Sequence, residues 1–436
     1  MKLKFLQAID WILVLCIVCL VTVGILFIYS SGFNSDGVNV SKEYIKQIVW
    51  GSIGLVLMLS VAFIDYRKLY NYANYLFLLM FLLLVYTKLF GRYVKGARSW
   101  IGFGGFGIQP SEFCKILFII FLARYYERYK NKSDRVKFIT SIFIFFVPIG
   151  LILIQPDLGT ASVYFPIFIT MAFIAGIPLR YIMFLCLCSV FTVLFTVLPI
   201  WETSIAQKSY PIISILTNLK LRLVVIFTMA IVGVIGFLGK IFYKQIKYFY
   251  WISYSFGIGC LSLIFSYFAG FELKEYQIQR LIIFLKPEID RQGAGWNIIQ
   301  SKIAIGSGST FGQGFLRGTQ SHYRFLPEQS TDFIFSILAE ELGFIGCMAI
   351  FAVYMLLLFR IISILRHTKI PFGSYIVAGI LGMFFYHFWV NVGMVMGMMP
   401  ITGIPLLFLS YGGSSLWTAM ICVGLLMSVR YRKYDF

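Results

Sequence analysis

The residues of this chain that could carry chemistry are few, because only 18 of its 436 residues are Asp or Glu. Asp290 lies in a loop, beside a Pro-containing turn signal and directly before Arg291. A carboxylate there can accept a proton from a hydroxyl while neighbouring cations hold an anionic substrate. Asp290 is therefore a candidate general base, and the alternative is a solvated loop acid without a catalytic role.

A second set of ionisable side chains lies in or beside apolar stretches. Glu112 and Lys115 are three residues apart, so on a helix they share a face and can pair. Asp332 and Glu340 fall on one stripe of another apolar stretch, and Asp157 lies in a tight connection. A charge at bilayer depth costs at least about 2.5–3.5 kcal/mol, so such residues usually face a cavity or a partner. We interpret them as lining a binding cavity; for Glu112 and Lys115 the alternative is a purely structural ion pair.

Two irregular segments carry further candidates. The run 306–314 contains four glycines, which would let backbone N–H groups approach a phosphate or a sugar; a structural turn is the alternative. The segment 400–415 mixes Pro, Gly and hydroxyl groups with apolar residues. Irregular backbone at membrane depth is tolerated only where it is buried in protein or lines a cavity. We therefore predict a re-entrant or interfacial segment over 400–415.

The elements that position these residues must belong to a membrane domain. Hydrophobic residues make up 60% of the chain and charged residues 13%, with a mean hydropathy of +0.86. These values exclude a cytosolic enzyme, a secreted disulfide scaffold and a disordered protein. The eight cysteines lie in or beside apolar runs and are predicted to be packing residues. The three histidines are too scattered to form a zinc site together.

Apolar stretches long enough to cross a bilayer predict an all-α, polytopic integral membrane protein with about twelve transmembrane helices. The predicted spans are 11–29, 48–64, 75–90, 111–126, 138–155, 158–176, 181–198, 223–238, 249–268, 332–359, 374–394 and 414–429. We expect a single membrane domain over residues 1–436, with a large extracytoplasmic loop over residues 271–331.

Loop charges predict the orientation of these spans. With the N-terminus inside, twenty of the 37 Lys and Arg residues fall in cytoplasmic segments, six of them between Arg124 and Lys137. Both termini are then cytoplasmic, and the net charge of +19 does not indicate nucleic-acid binding. Arg98, Arg280 and Lys302 remain on the outer side. These three side chains can hold a polyanion there. The alternative is that they lie in long outer loops, which are exempt from the rule that Lys and Arg favour cytoplasmic loops.

Motifs along nearly the whole chain resemble the SEDS family of cell-wall polymerases (FtsW/RodA/SpoVE). They lie at 95–100, 109–115, 155–161, 293–308, 318–321, 325–328, 331–335, 339–343, 391–394 and 410–414. The Gly-Thr-Gln-Ser form at 318–321 resembles the elongation branch of the family more than the division branch.

The resemblance implies a peptidoglycan glycosyltransferase at the outer face of the bacterial cytoplasmic membrane. Family members polymerise lipid II, an undecaprenyl-diphosphate disaccharide-peptide, into glycan strands. By resemblance, Asp290 is the catalytic aspartate, and an α-linked donor with a β-linked product implies inversion in one displacement. The candidate substrate-binding residues are Arg98, Glu112, Lys115, Asp157, Arg280, Lys302, Gln320, Glu328, Asp332, Glu340, Ser410, Gly412 and Gly413.

The resemblance also sets expectations for added elements and partners. Most members have ten spans, so residues 210–270 are interpreted as an inserted helix pair. The expected partners are lipid II, the nascent glycan, a class B penicillin-binding protein and membrane proteins of the elongation complex, with no nucleic acid. The one cofactor considered is a divalent cation, Mg²⁺ or Mn²⁺, without assigned ligands. The alternative functions are a flippase for a lipid-linked precursor and a non-catalytic scaffold of the wall-synthesis complex.

Overall fold

The computed structural model describes residues 9–34, 38–94, 97–103, 106–206, 208, 210–243, 247–272, 275–290, 294–323 and 325–432. The helices in these segments are, in chain order, α1 (Trp11–Ser30), α2 (Glu43–Phe63), α3 (Tyr66–Phe90), α4 (Pro110–Arg128), α5 (Asp134–Ile154), α6 (Leu158–Ile174), α7 (Leu179–Trp201), α8 (Ser214–Thr217), α9 (Leu219–Phe242), α10 (Lys247–Glu272), α11 (Glu275–Leu285), α12 (Ala294–Ser307), α13 (Thr319–His322), α14 (Ile334–His367), α15 (Pro371–Val395) and α16 (Gly413–Tyr431).

The chain divides into two compact units. The first unit is Met1–Ile177 together with Asn297–Phe436, and the second unit is Pro178–Trp296. Asp290 and Arg280 therefore belong to the second unit, whereas most other candidate site residues belong to the first.

The core of the first unit lies around α15 and α16. In these two helices, 72% and 78% of the most apolar stretch is buried, against 22–44% for α1, α2 and α3. The α16 helix packs on α2, α15 packs on α6 and α4, and α14 packs on α1. The apolar faces of the outer helices stay exposed, as expected for helices that contact lipid.

The prediction of a mostly helical, polytopic membrane protein is confirmed. Within the described segments, ten helices are long and apolar enough to cross a membrane, and they are α1, α2, α3, α5, α7, α9, α10, α14, α15 and α16. The remaining two predicted spans overlap α6, which is a shorter apolar helix, and α4, which carries more charge.

The expectation of an all-α fold is wrong between α3 and α4. Three short antiparallel strands lie there, β1 (Arg92–Val94), β2 (Ala97–Phe103) and β3 (Phe106–Ile108), in the order β1-β2-β3. Glycines interrupt helical structure in this segment, and its aromatic and β-branched residues favour strands.

The second unit contains a helical hairpin over the predicted inserted pair. The α9 helix packs on α10, and α10 packs on α7. Arg222 near the start of α9 is 6% exposed, and its guanidinium donates to the carbonyl oxygens of Leu216 and Leu263. Backbone carbonyls thus satisfy a charge inside a helix of membrane-spanning length. The interpretation of residues 210–270 as an insertion stays a prediction.

Candidate functional site

A buried ion pair lies in the first turns of α4. Pro110 at the first position of the helix needs no N–H partner, and Glu112 in the first turn is favoured by the helix dipole. Lys115 Nζ lies 2.8 Å from Glu112 Oε2, and the two side chains are 1% and 5% exposed. The pairing predicted from their spacing is therefore formed, and both charges lie inside the protein.

His387 of α15 adds a third side chain to this ion pair, a role that was not predicted from the sequence. Lys115 Nζ lies 3.3 Å from His387 Nε2, and His387 Nδ1 lies 3.0 Å from the carbonyl oxygen of Pro405. Because an ammonium group only donates, Nε2 accepts from Lys115 and Nδ1–H donates to Pro405. The imidazole thus links the ion pair to the segment 400–415. The available signal was an ionisable residue within an apolar span.

Asp157 caps a helix at the same end of the first unit. It is the N-cap residue of α6, and its carboxylate accepts from Thr160 N at 3.0 Å and from Thr160 Oγ1 at 2.8 Å. Gln109 Nε2 donates to the same carboxylate at 2.9 Å, and Gln109 N donates to Ser414 Oγ at 3.0 Å. The starts of α4, α6 and α16 therefore meet.

Ser410, Gly412 and Gly413 lie where the segment 400–415 joins α16. The amide of Gln47 brackets this junction: its Nε2 donates to the Ser410 carbonyl oxygen at 3.2 Å, and its Oε1 accepts from Gly412 N at 3.3 Å. A Cβ on Gly413 would lie 2.8 Å from the ring of Trp50, so a larger residue would not fit. In this structure all three residues hold the backbone of the segment in place.

Asp332 lies beside the same segment. The carbonyl oxygen of Asp332 accepts from Asn391 Nδ2 at 3.0 Å, and Asn391 Nδ2 also donates to Ile404 O at 2.8 Å. A Cβ on Gly403 would lie 3.6 Å from Asp332 Oδ2, so the half-buried carboxylate faces the loop. The predicted span start at Asp332 is wrong by two residues, because α14 begins at Ile334 and Asp332 belongs to the preceding turn.

Glu340 holds the Gly-Thr-Gln-Ser turn. Its carboxylate is 0% exposed and accepts from Gln320 N at 2.8 Å, from Thr319 Oγ1 at 3.1 Å and from Ser321 N at 3.4 Å. It thereby satisfies the free N–H groups at the start of α13. The stripe predicted for Asp332 and Glu340 does not form, since one lies before the helix and the other is buried under α13.

The glycine-rich run docks on a kink in α14. Gly343 has φ +66° and ψ −164°, which interrupts the helix, and Phe344 N donates to Ser309 O at 2.9 Å. Cβ atoms on Gly308, Gly312 or Gly343 would collide with backbone atoms of the opposite segment. The glycines are needed here for close backbone approach, which supports the structural alternative for the run 306–314.

Three further candidates of the first unit, Arg98, Lys302 and Glu328, are exposed. Arg98 lies on β2 opposite Tyr93, and Glu328 accepts from Thr331 Oγ1 at 3.2 Å. Lys302 lies on α12 with its ammonium group against the backbone of Gly397, since a Cβ there would lie 2.7 Å from Nζ. These side chains are accessible to a ligand, in contrast to Lys115.

In the second unit, Asp290 ends the 3₁₀ turn Pro287–Asp290, and its side chain is half-buried. A Cβ on Gly295 would collide with the carbonyl oxygens of Pro287 and Asp290. The first turn of α12 therefore packs directly on the turn that carries Asp290, which fixes its backbone. Arg280 lies in the preceding helix α11 and is also half-buried. Arg291, which follows Asp290, is outside the described residues.

Burial shifts the pKa of Tyr411 and that of His322, which both lie outside the spans. Burial raises the pKa of Tyr411 to about 12, with a smaller contribution from the charge of Glu43. The Tyr411 ring stacks on Trp50 with centroids 5.3 Å apart. Burial lowers the pKa of His322, whereas the Glu340 carboxylate opposes that shift. Both groups are therefore uncharged at neutral pH.

Among the residues that the structure describes, no three His, Cys, Asp or Glu side chains come together so that they could hold a metal ion. No residue is therefore assigned to Mg²⁺ or Mn²⁺.

Comparison with known proteins places this architecture in a family. The FtsW/RodA/SpoVE family model, described as "Cell cycle protein", matches residues 10–217 and 204–435. The chain is 52% identical over 433 residues to "Peptidoglycan glycosyltransferase RodA" of Treponema pallidum (strain Nichols), covering 99% of this chain and 100% of that protein. It is 32% identical over 424 residues to "Peptidoglycan glycosyltransferase MrdB" of Escherichia coli (strain K12), covering 97% and 94%.

The fold is also similar to that of a solved chain from a peptidoglycan synthase complex that coordinates polymerization and crosslinking. The TM-score is 0.67 at 24% identity, and the match covers 98% of this chain and 99% of that chain. With the two-segment family match and the full-length relatives, the chain belongs to the FtsW/RodA/SpoVE (SEDS) family of bacterial multi-pass membrane proteins.

Proposed function

We propose that this protein is a peptidoglycan glycosyltransferase that polymerises lipid II into glycan strands during cell elongation. The observation that carries the proposal is the 52% identity over essentially the full length of both chains to a protein named peptidoglycan glycosyltransferase RodA. A mostly helical chain, with ten helices of membrane-spanning length among its described residues, suits a substrate whose lipid tail stays in the bilayer.

We infer that the substrate-facing end of the first unit is the end where α4, α6 and α16 begin. The contacts of Gln109 with Asp157 and Ser414, and of Asn391 with the backbone at Asp332, support this inference. Most candidate polar residues of the first unit lie at this one end.

In the proposed reaction, Asp290 is the general base. Its carboxylate removes the proton from the acceptor's sugar hydroxyl as that oxygen bonds to the anomeric carbon of the donor. The bond from that carbon to the diphosphate breaks, and undecaprenyl diphosphate leaves as an anion. Inversion in a single displacement needs no covalent enzyme intermediate. The rigid packing of Gly295 on the Asp290 turn supports the role, because a general base must be held in place.

Cations must stabilise the leaving diphosphate. The exposed side chains of Arg98 and Lys302 are accessible for this, and Arg280 is the candidate of the second unit. The ammonium group of Lys115 already donates hydrogen bonds to Glu112 and His387. We therefore propose that Lys115 and Glu112 have a positioning role. Through His387, which contacts the carbonyl oxygen of Pro405, they hold the segment 400–415 against α4.

We further propose that twelve helices cross the membrane, that both termini are cytoplasmic and that residues 271–331 lie outside. The density of Lys and Arg from the end of α4 to the start of α5 supports this orientation. The proposed partners are a class B penicillin-binding protein, membrane proteins of the elongation complex and the nascent glycan.

The test is to incubate the purified full-length protein with defined lipid II and resolve the products on a gel. A ladder of glycan polymer is expected. A parallel assay follows movement of a fluorescent lipid II across proteoliposomes. Lipid movement without polymer would indicate a flippase instead, and neither activity, alone or with a class B penicillin-binding protein, would indicate a scaffold.

A further inference from the structure

We propose that a cleft between the last turns of α14 and α16 binds the phosphate of an anionic phospholipid headgroup. The cleft has a volume of about 110 Å³ and is lined by Arg360, Ser363, Ile364, His367, Thr368 and Arg430. None of these residues belongs to the site of the proposed reaction, and the cleft lies in the first unit at the end where α14 and α16 terminate.

The cleft carries more positive than negative charge. Arg360 Nε and Arg430 Nη1 lie 2.9 Å and 2.5 Å from the same oxygen of Asp10, whose side chain is 1% exposed. Asp10 is the acid that both arginines contact among the described residues, so two guanidinium groups share one carboxylate. Among the described residues, one positive charge then has no matching carboxylate, and a bound anion can balance it.

The arginines can still bind an anion while they hold Asp10. Their side chains remain 23% and 32% exposed, and each guanidinium has five N–H donors, of which Asp10 uses one on each. The planar guanidinium fork matches the geometry of phosphate oxygens. Two forks directed at one cleft therefore favour phosphate over a spherical anion.

His367 extends the basic lining. Its Nδ1 lies 2.6 Å from the carbonyl oxygen of Ser363, so Nδ1–H donates to the backbone and Nε2 is left for another partner. The partial negative charge at the carboxyl ends of α14 and α16 opposes an anion. That effect falls off within the last turn and is smaller than the full charge of an arginine.

The depth of the cleft selects a lipid as the source of the phosphate. Both α14 and α16 are long and apolar enough to cross the membrane, so their last turns lie at the level of the headgroups. Basic pockets between transmembrane helices at this level suit anionic headgroups, and a neighbouring leaflet presents them at high local concentration.

The test measures binding of fluorescent phosphatidylglycerol to the full-length protein in neutral detergent micelles. Unlabelled phosphatidylglycerol, phosphatidylcholine and inorganic phosphate serve as competitors. Phosphatidylglycerol is expected to displace the probe, and phosphatidylcholine is not. The Arg430→Gln variant should bind about tenfold more weakly, the loss expected for one charge-assisted hydrogen bond. Arg366→Gln is the matched control. Arg366 lies beside His367 in the last turn of α14, but it does not line the cleft.

Asp10→Asn gives a second readout that does not depend on losing a contact. Asn keeps the side-chain acceptor that caps α1, where Asp10 accepts from Leu13 N. Removal of the carboxylate frees both guanidinium groups, so this variant should bind the probe more tightly than the wild type. No tightening, or equal weakening by Arg430→Gln and Arg366→Gln, would overturn the proposal. Full displacement by equimolar inorganic phosphate would overturn the assignment to a lipid.

Discussion

The buried ion pair of α4 gives the sharpest prediction about the first unit. Replacing Lys115 with Met removes one charge and leaves the Glu112 carboxylate, whose side chain is 5% exposed, without its cation. Replacing Glu112 with Gln leaves the ammonium group of Lys115 in the same situation. The double variant removes both charges and leaves His387 Nε2 without its donor.

The magnitude follows from the geometry. At 2.8 Å, with an effective dielectric constant of about 20, two unit charges attract by about 6 kcal/mol. Much of that attraction offsets desolvation, and removing one partner of a buried pair costs about 3–5 kcal/mol. We expect that loss in the free energy of unfolding for each single variant. The double variant should lose only about 1–3 kcal/mol, the cost of one unpaired buried group.

The assay is a double-mutant cycle on the purified protein, unfolded by SDS in mixed micelles, with polymer yield measured in parallel. Lys132→Met, an exposed lysine after α4, serves as the control and should change stability little. Additive losses, with the double variant as unstable as the sum of the singles, would refute the reasoning. A stable but inactive double variant supports a role in the site, and a stable and active one supports a purely structural pair.

Three further predictions concern the backbone and the loops. Gly343→Ala should destabilise the protein by at least about 1–3 kcal/mol, because only glycine tolerates φ +66° with ψ −164°. Gly306→Ala is the control and should not destabilise the protein, because there is open space around Gly306. Equal thermal unfolding midpoints for the two variants would contradict this prediction. Asp157→Ala should cost about 1–2 kcal/mol through loss of the α6 cap, and Asp157→Asn, which keeps an acceptor for Thr160 N, should recover most of that loss; an Asn variant no more stable than the Ala variant would contradict the capping role. Burial raises the pKa of Tyr411 to about 12, whereas the pKa of a tyrosine in the unfolded chain is near 10. The buried neutral phenol therefore contributes fully to the free energy of unfolding below about pH 10, and this contribution is lost as the pH rises towards 12. Unfolding measured across this range should show that loss in the wild type but not in Tyr411→Phe, and identical pH profiles would contradict it.

Local patterns in the sequence were enough to predict the helices and one contact of the site. Apolar runs of about 20 residues mark helices such as α14 and α15 without any knowledge of their neighbours. The spacing of Glu112 and Lys115 places both side chains on one face of α4. Both inferences depend only on residues close together in the chain.

The contacts that the sequence did not reveal join distant segments. His387 reaches Lys115 across 272 residues, and Gln47 reaches Ser410 across 363 residues. Glu340 was interpreted as a cavity residue, yet it caps α13, because only the packing of the glycine-rich run on α14 brings those N–H groups to it. Such partners depend on the tertiary fold, which no local spacing specifies.

The most direct test of the account is the polymerisation of lipid II by the Asp290→Asn variant. Glu288→Gln is the matched control, since Glu288 is an exposed acid in the same 3₁₀ turn. If Asp290 is the general base, its amide variant should lose at least about 100-fold in polymerisation rate while inserting and eluting as the wild type does, and Glu288→Gln should retain full activity. A polymer ladder of wild-type intensity from Asp290→Asn would contradict the account.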